Sequence, residues 1–161
     1  MIDNDGYRLN VGIIICNDKN QLFWGKRVGQ ESWQFPQGGI AEYESSQQTL
    51  IRELYEETGL AEDDIEILAE MPEWIHYDLP ENLIRRYKKP VCIGQKQKWF
   101  LVRLIKSEDH ISLKSSERPE FDSWKWVDYW KPLDDVIFFK REVYKKALTE
   151  FAPVLDPALL S

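Results

Sequence analysis

Apolar runs and one-sided stripes alternate along this chain, and their periods predict its elements. Arg8 to Asn17 (RLNVGIIICN) reads as a buried strand. Asn17-Asp18-Lys19-Asn20 predicts a turn into a second strand at Gln21 to Arg27. A loop containing Gly29 leads to a short strand, Trp33 to Phe35, closed by Pro36. The pattern predicts a helix from about Ser45 to Thr58, then a long strand from Asp64 to Tyr77 interrupted near Pro72. Leu79 to Pro90 is a basic connection with a short helix after Pro80. Lys96 to Ile105 is a strongly hydrophobic strand, and Ser123 to Val127 places Trp124 and Trp126 on one face. Pro132 starts a short helical turn, and Lys140 to Phe151 predicts an amphipathic helix with Val143, Tyr144, Ala147, Leu148 and Phe151 on its apolar stripe. The irregular alternation lacks the repeating βα units of a doubly wound sheet, so a mixed α/β fold is expected. No repeat or linker divides residues 1–161, so a single domain is expected, long enough to bury a sizeable core.

The helix over Ser45 to Thr58 carries the most informative polar pattern. Its Glu53, Glu56 and Glu57 stand at i, i+3 and i+4, within an arc of roughly 100°. Leu50, Ile51, Leu54 and Tyr55 make the adjoining apolar face, and Arg52 stands at the far edge of the acidic one. Like charges at these spacings cost a few tenths of a kcal/mol per pair. Two readings follow: a solvated acidic surface, or a cradle for a hard divalent cation. Gly38 and Gly39 supply a permissive loop before the helix, Glu44-Ser45-Ser46 an acidic, cap-competent start, and Gly59 a stop. Together these favour the cradle.

Charge and composition change the picture in one respect. The net charge of −7 argues against a nucleic-acid substrate, but its distribution weakens that objection. From Ala41 to Glu81 the only Lys or Arg is Arg52, whereas Leu83 to Ser107 has no acid and holds Arg85, Arg86, Lys88, Lys89, Lys96, Lys98, Arg103 and Lys106. That segregation suits a metal site beside a basic rim that receives phosphate; an ordinary solvated loop would look the same. Cys16 and Cys92 both lie in apolar, strand-like runs and read as buried thiols, not a disulfide. No stretch approaches the ~18 apolar residues of a membrane span, and the polar N-terminus is unlike a secretory signal, so a cytoplasmic protein is expected.

The spacing Gly38, Glu44, then Arg52-Glu53-Leu54-Tyr55-Glu56-Glu57-Thr58-Gly59-Leu60 resembles the Nudix box at every defining position. WQFPQGGI (Trp33 to Ile40), PVCIGQKQKWFL (Pro90 to Leu101), PEFDSWKWV (Pro119 to Val127) and FKREVY (Phe139 to Tyr144) further resemble the bacterial RNA pyrophosphohydrolases. The resemblance runs from about Met1 to Phe151. It implies a mixed sheet sandwiched between helices, and roughly two or three Mg²⁺ or Mn²⁺ ions held with substrate. It implies Glu53, Glu56, Glu57 and Glu120 as metal ligands, with the Gly38 carbonyl a further one. The catalytic set becomes Glu53, Glu57, Glu120 and Arg52, with Arg52 positioning Glu44 or Glu53. Glu53, Glu57 and Glu120 are all eligible as general base, Glu53 taken first.

Arg8, Arg27 and Lys140 can pair with phosphate oxygens, Gln37 can donate to the phosphate chain, and Phe139 can stack a nucleobase beside Ile137. Packing of Phe139 against Phe138 or Tyr144 is the alternative. Trp33 and Trp99 are expected in the core, and His76 and His110 are assigned no role. The implied substrate is RNA with an unpaired 5′ triphosphate or diphosphate end, cleaved to a monophosphate that promotes decay. The expected enzyme is a monomer, with any protein activator left open. The closest rival is a dinucleoside polyphosphate hydrolase of the diadenosine tetraphosphate type; a noncatalytic RNA-binding module is disfavoured because all four carboxylates are present.

Overall fold

The computed structural model describes residues Met1–Ser161. Its strands are β1 (Tyr7–Cys16), β2 (Leu22–Arg27), β3 (Trp33–Gln34), β4 (Gln37–Gly39), β5 (Ile65–Glu70), β6 (Ile75–Asp78), β7 (Gly94–Leu104) and β8 (Phe121–Val127). Its helices are α1 (Ser46–Thr58), α2 (Pro132–Asp135) and α3 (Arg141–Leu155), with single 3₁₀ turns at Glu81–Leu83 and Phe138–Lys140 among others. The sheet is mixed. β1 runs parallel to β7 from Tyr7 opposite Gly94 to Cys16 opposite Arg103, while its other edge takes β4 and β2 antiparallel.

The central strands are apolar at consecutive positions because helices cover both faces. Val11, Ile13, Ile15, Phe100, Val102 and Leu104 point toward Leu50 and Leu54 of α1. Ile14, Cys16, Trp99 and Leu101 point the other way, into a core with Val143, Tyr144, Ala147, Leu148 and Phe151 of α3. All five residues of the predicted α3 stripe are therefore buried. Trp124 and Trp126 share the α1 face, with Trp124 stacked on Phe23 at 5.2 Å between centroids.

Several expectations need correction. The stretch from Asp64 to Tyr77 is two strands, both antiparallel to β7 along one edge. Between them Met71–Trp74 stand opposite only Lys98 and Trp99, so Pro72 falls in a bulge where it owes the sheet no N–H. Gly38 and Gly39 are not loop: β4 pairs them with Val11 and Asn10. The predicted helix after Pro80 is only a 3₁₀ turn. Lys140 lies outside α3, which runs on past Phe151 to Leu155, because Pro153 sits in its last turn and forfeits only one bond. Cys16 is buried, and burial pushes its thiol up to about 11. Cys92 lies ahead of β7 and is half-buried, its thiol donating to the Gly94 carbonyl at 3.2 Å. Trp99 is fully buried, but Trp33 only leans on the core, with the Lys125 ammonium 4.4 Å from its ring.

Candidate active site

Helix α1 is fixed at both ends, which orients its acidic face. Ser45 Oγ accepts from the Gln48 N–H at 3.1 Å, and Gln48 Oε1 accepts from the Ser45 N–H at 2.8 Å, a complete capping box. Gly59 takes the left-handed conformation (φ 75°) and donates its N–H to Tyr55. Glu44 stays outside the first turn. Its Oε1 accepts from the Ala41 N–H (3.1 Å), Thr49 Oγ1 (3.0 Å) and Arg52 Nη2 (2.8 Å), and its Oε2 from Arg52 Nε (2.7 Å).

Arg52 organises the rest. Its guanidinium also donates to the Gly39 carbonyl at 3.0 Å, to Glu53 at 2.8 Å and to Glu56 at 3.3 Å. It thus ties β4, the Glu44 turn and two of the three helix carboxylates together, contacting both Glu44 and Glu53. The Arg52 hydrogen bonds hold the Glu44 carboxyl down to about 2. Because the folded value lies below the ordinary 4.5, stability from this pair is fully present above that value and is lost as pH falls toward about 2. Glu44→Gln is accordingly expected to flatten the acid limb of a Tm-against-pH profile between those values; an unchanged limb would show that the pair contributes nothing.

The carboxylates grade inward. The Glu56 side chain is 44% exposed, that of Glu53 is 13% exposed, and Glu57 is buried. Burial, opposed by Arg52, raises the Glu53 carboxyl, and the charges of Glu56 and Glu120 add to it. Burial pushes Glu57 well above the usual range, helped by Glu53 and Glu120 and opposed by a hydrogen bond from the Gln37 backbone. Glu57 Oε2 is buried without any partner. Gly38 faces this group: a Cβ there would lie 1.9 Å from Glu53 Cδ. Hard oxygen donors, an orphaned buried oxygen and mutually raised carboxyl groups fit a divalent cation, whose charge would reverse these shifts. The side chains do not stand as a preformed cage of three or more ligands. Arg52 draws Glu53 and Glu56, while Gln34 Nε2 (3.2 Å) and Arg27 (3.5 Å) draw Glu120.

Glu120 nevertheless reaches the group across the sheet, since it precedes β8 and acts on both Glu53 and Glu57. Lys140 is buried, donates to Gln34 Oε1 at 3.1 Å and lies 5.7 Å from the Tyr77 ring. Burial, with the nearby Arg27 charge, lowers its ammonium to about 8. Gln37 accepts from Gln97 Nε2 at 3.2 Å. Phe139 leans on the α3-side core, 5.7 Å from the Tyr77 ring, whereas Phe138 is 75% exposed and Ile137 is exposed. Arg8 is exposed at the start of β1. Gln34, Tyr77 and Gln97 join this wall without having been anticipated. Their signal was an uncharged polar or hydroxyl-bearing residue at an inward strand position, as Gln97 is two before Trp99. His110 does meet a carboxylate, Asp64 at 3.1 Å, but at the Leu104 end of β7, and His76 packs on the Tyr7 ring.

The glycine strand, the helix with its acidic face and Arg52 clamp, and the sheet between two cores coincide with a known family. The NUDIX domain matches residues 6–147, and the chain belongs to the Nudix family of hydrolases. It is 57% identical over 157 residues to the RNA pyrophosphohydrolase of Vibrio atlanticus (strain LGP32), covering 98% of this chain and 91% of that one. It is likewise 57% identical over 155 residues to the RNA pyrophosphohydrolase of Pasteurella multocida (strain Pm70), covering 96% of this chain and 78% of that one. The E. coli dihydroneopterin triphosphate pyrophosphohydrolase shares the fold with a TM-score of 0.68 at 16% identity, over 89% of this chain and 98% of that one. A C. elegans Ap4A hydrolase complex does so with a TM-score of 0.65 at 17% identity, over 91% and 98%.

Proposed function

We propose that this hydrolase removes pyrophosphate from the 5′ triphosphate end of RNA, or phosphate from a 5′ diphosphate end, and leaves a 5′ monophosphate. The observation that carries this reading is the 57% identity, over nearly the whole chain, to RNA pyrophosphohydrolases. The product would suit decay enzymes that act on 5′ monophosphate ends. The Ap4A hydrolase likeness at 17% identity is one of fold and does not favour the dinucleotide rival. One sheet shared by both cores supports a single catalytic domain, proposed to act as a monomer in the cytoplasm. No helix is long and apolar enough to cross a membrane.

Glu53, Glu56, Glu57, Glu120 and the Gly38 carbonyl would hold the Mg²⁺ or Mn²⁺ ions. Such ions neutralise phosphate charge and activate water for in-line attack. Glu53 is the favoured general base: it keeps some solvent contact, and Arg52 at 2.8 Å orients it, whereas Glu57 is buried. Arg8, Arg27 and Lys140 would take phosphate oxygens, and an arriving phosphate would restore the full charge of Lys140. Phe139 and Ile137 would flank the base, with Gln37 donating along the phosphate chain. The test compares kcat/KM for 5′-triphosphorylated RNA, diadenosine tetraphosphate and free nucleoside triphosphates in Mg²⁺. RNA is expected to be the best substrate; efficient dinucleotide cleavage with negligible RNA turnover would sink the reading.

A further inference from the structure

The basic run between Leu83 and Ser107 is not one surface. Lys96 pairs with Asp3, Lys98 with Glu70, Lys106 with Asp64 and Arg86 with Glu81. Arg103 lies at the other end of β7, opposite Cys16. Arg85, Lys88 and Lys89 enter no ion pair, and Arg8 across from them enters none either. These four cations line one recess of about 400 Å³ that has no carboxylate in its wall. Its floor is apolar, built from Ile2, Leu79, Leu83 and Pro90. Tyr87, between the cations in sequence, is 83% exposed.

This recess continues the active-site wall. Arg8 and Asn10 stand on the same face of β1, opposite Gln95 and Gln97 of β7. Asn10 Nδ2 donates to Gln95 Oε1 at 2.6 Å, Gln97 donates to Gln37, and Gln95 lines the recess. A polar stripe therefore runs from Gln37, beside Glu57, to Arg8. Arg8 lies three residues along β1 from Val11, the partner of Gly38, which is about 10 Å of strand. That separation is on the scale of one extended nucleotide. We propose that the Arg8, Arg85, Lys88 and Lys89 recess holds the RNA downstream of the 5′ nucleotide, its phosphates on the cations and an unpaired base on Tyr87. The assignment rests on RNA being the substrate, and it explains how a chain of net charge −7 receives a polyanion: four unpaired cations share one recess that has no carboxylate in its wall.

Binding and turnover test it separately. Fluorescence anisotropy with a 5′-hydroxyl RNA of about ten unpaired nucleotides reads the recess without any triphosphate chemistry. Arg85→Ala/Lys88→Ala/Lys89→Ala is expected to weaken binding by roughly tenfold or more and to reduce the salt slope by about 2, at ~0.7 per phosphate contact. Tyr87→Ala should weaken binding severalfold with no change in slope. The charge-matched control Lys114→Ala/Lys145→Ala/Lys146→Ala should bind like the parent. In turnover, the recess variant should raise KM for the long triphosphorylated RNA but not for a nucleoside triphosphate, which has nothing downstream of its 5′ nucleotide, with kcat unchanged for both. Equal binding by recess and control variants overturns the proposal, as does equally tight binding of an acidic peptide of the same charge. Loss of RNA turnover in the parent alongside recess-dependent RNA binding would count against the proposed reaction, and not against the recess.

Discussion

Glu53→Gln is expected to lower kcat by about 10²–10⁴ while leaving the metal-free protein as stable as the parent or more so. The substitution keeps the side chain's volume and leaves an Oε1 to accept from Arg52, which now bonds Glu53 at 2.8 Å. What it removes is a charge from a group where burial already raises the Glu53 and Glu57 carboxyls and each raises, or is raised by, its neighbours. Without a cation that charge is a cost, so its loss relieves repulsion. With Mg²⁺ the sign reverses. The parent should gain Tm on addition of Mg²⁺, since anything bound only by the folded state stabilises it, and the variant should gain less. Calorimetry with and without Mg²⁺, together with steady-state kinetics, reads all three quantities. A large fall in Tm without Mg²⁺, matched to the loss of rate, would make Glu53 a structural residue and return the acidic face to a solvated stripe.

How much of this was legible in the sequence depends on how local the determining physics is. The α1 face could be read because helix periodicity alone puts Glu53, Glu56 and Glu57 together, and Gly59 marks the stop by its own backbone preference. The β1, β7 and α3 cores could be read because their apolar runs are long. Glu120 was legible only through resemblance: it approaches Glu53 and Glu57 from a different strand, and nothing in its neighbours encodes that meeting. The wall of Gln34, Tyr77 and Gln97 was missed for the same reason, since each is ordinary until the sheet brings it beside Lys140 or Gln37. The capping box at Gln48 was local and could have been found from Ser45 and its third successor. The basic run misled by its continuity, because the ion pairs that split it come from Asp3, Asp64, Glu70 and Glu81, all outside the run.

Gly38→Ala should cost at least about 10² in kcat/KM, and the comparison with Gly39→Ala isolates why. A flexible turn would make both glycines matter through backbone freedom. Neither has a left-handed φ, and both are paired in β4, so alanine is conformationally acceptable at each. Space separates them. A Cβ at Gly39 meets nothing within 4 Å, whereas one at Gly38 lies 1.9 Å from Glu53 Cδ and 2.3 Å from its Oε1. The β4 backbone cannot easily retreat, since it is paired with β1 and the Gly39 carbonyl accepts from Arg52 at 3.0 Å. Glu53 must therefore move, losing its orientation against Arg52 and its place beside Glu57. Gly39→Ala is expected to retain parental activity and to gain a few tenths of a kcal/mol, up to about 1 kcal/mol, from reduced backbone freedom in the unfolded chain. Kinetics and urea unfolding on the two variants check this. If Gly38→Ala matches Gly39→Ala in kcat/KM, Glu53 has a second productive position and the close approach of strand to carboxylate is not what the glycine serves.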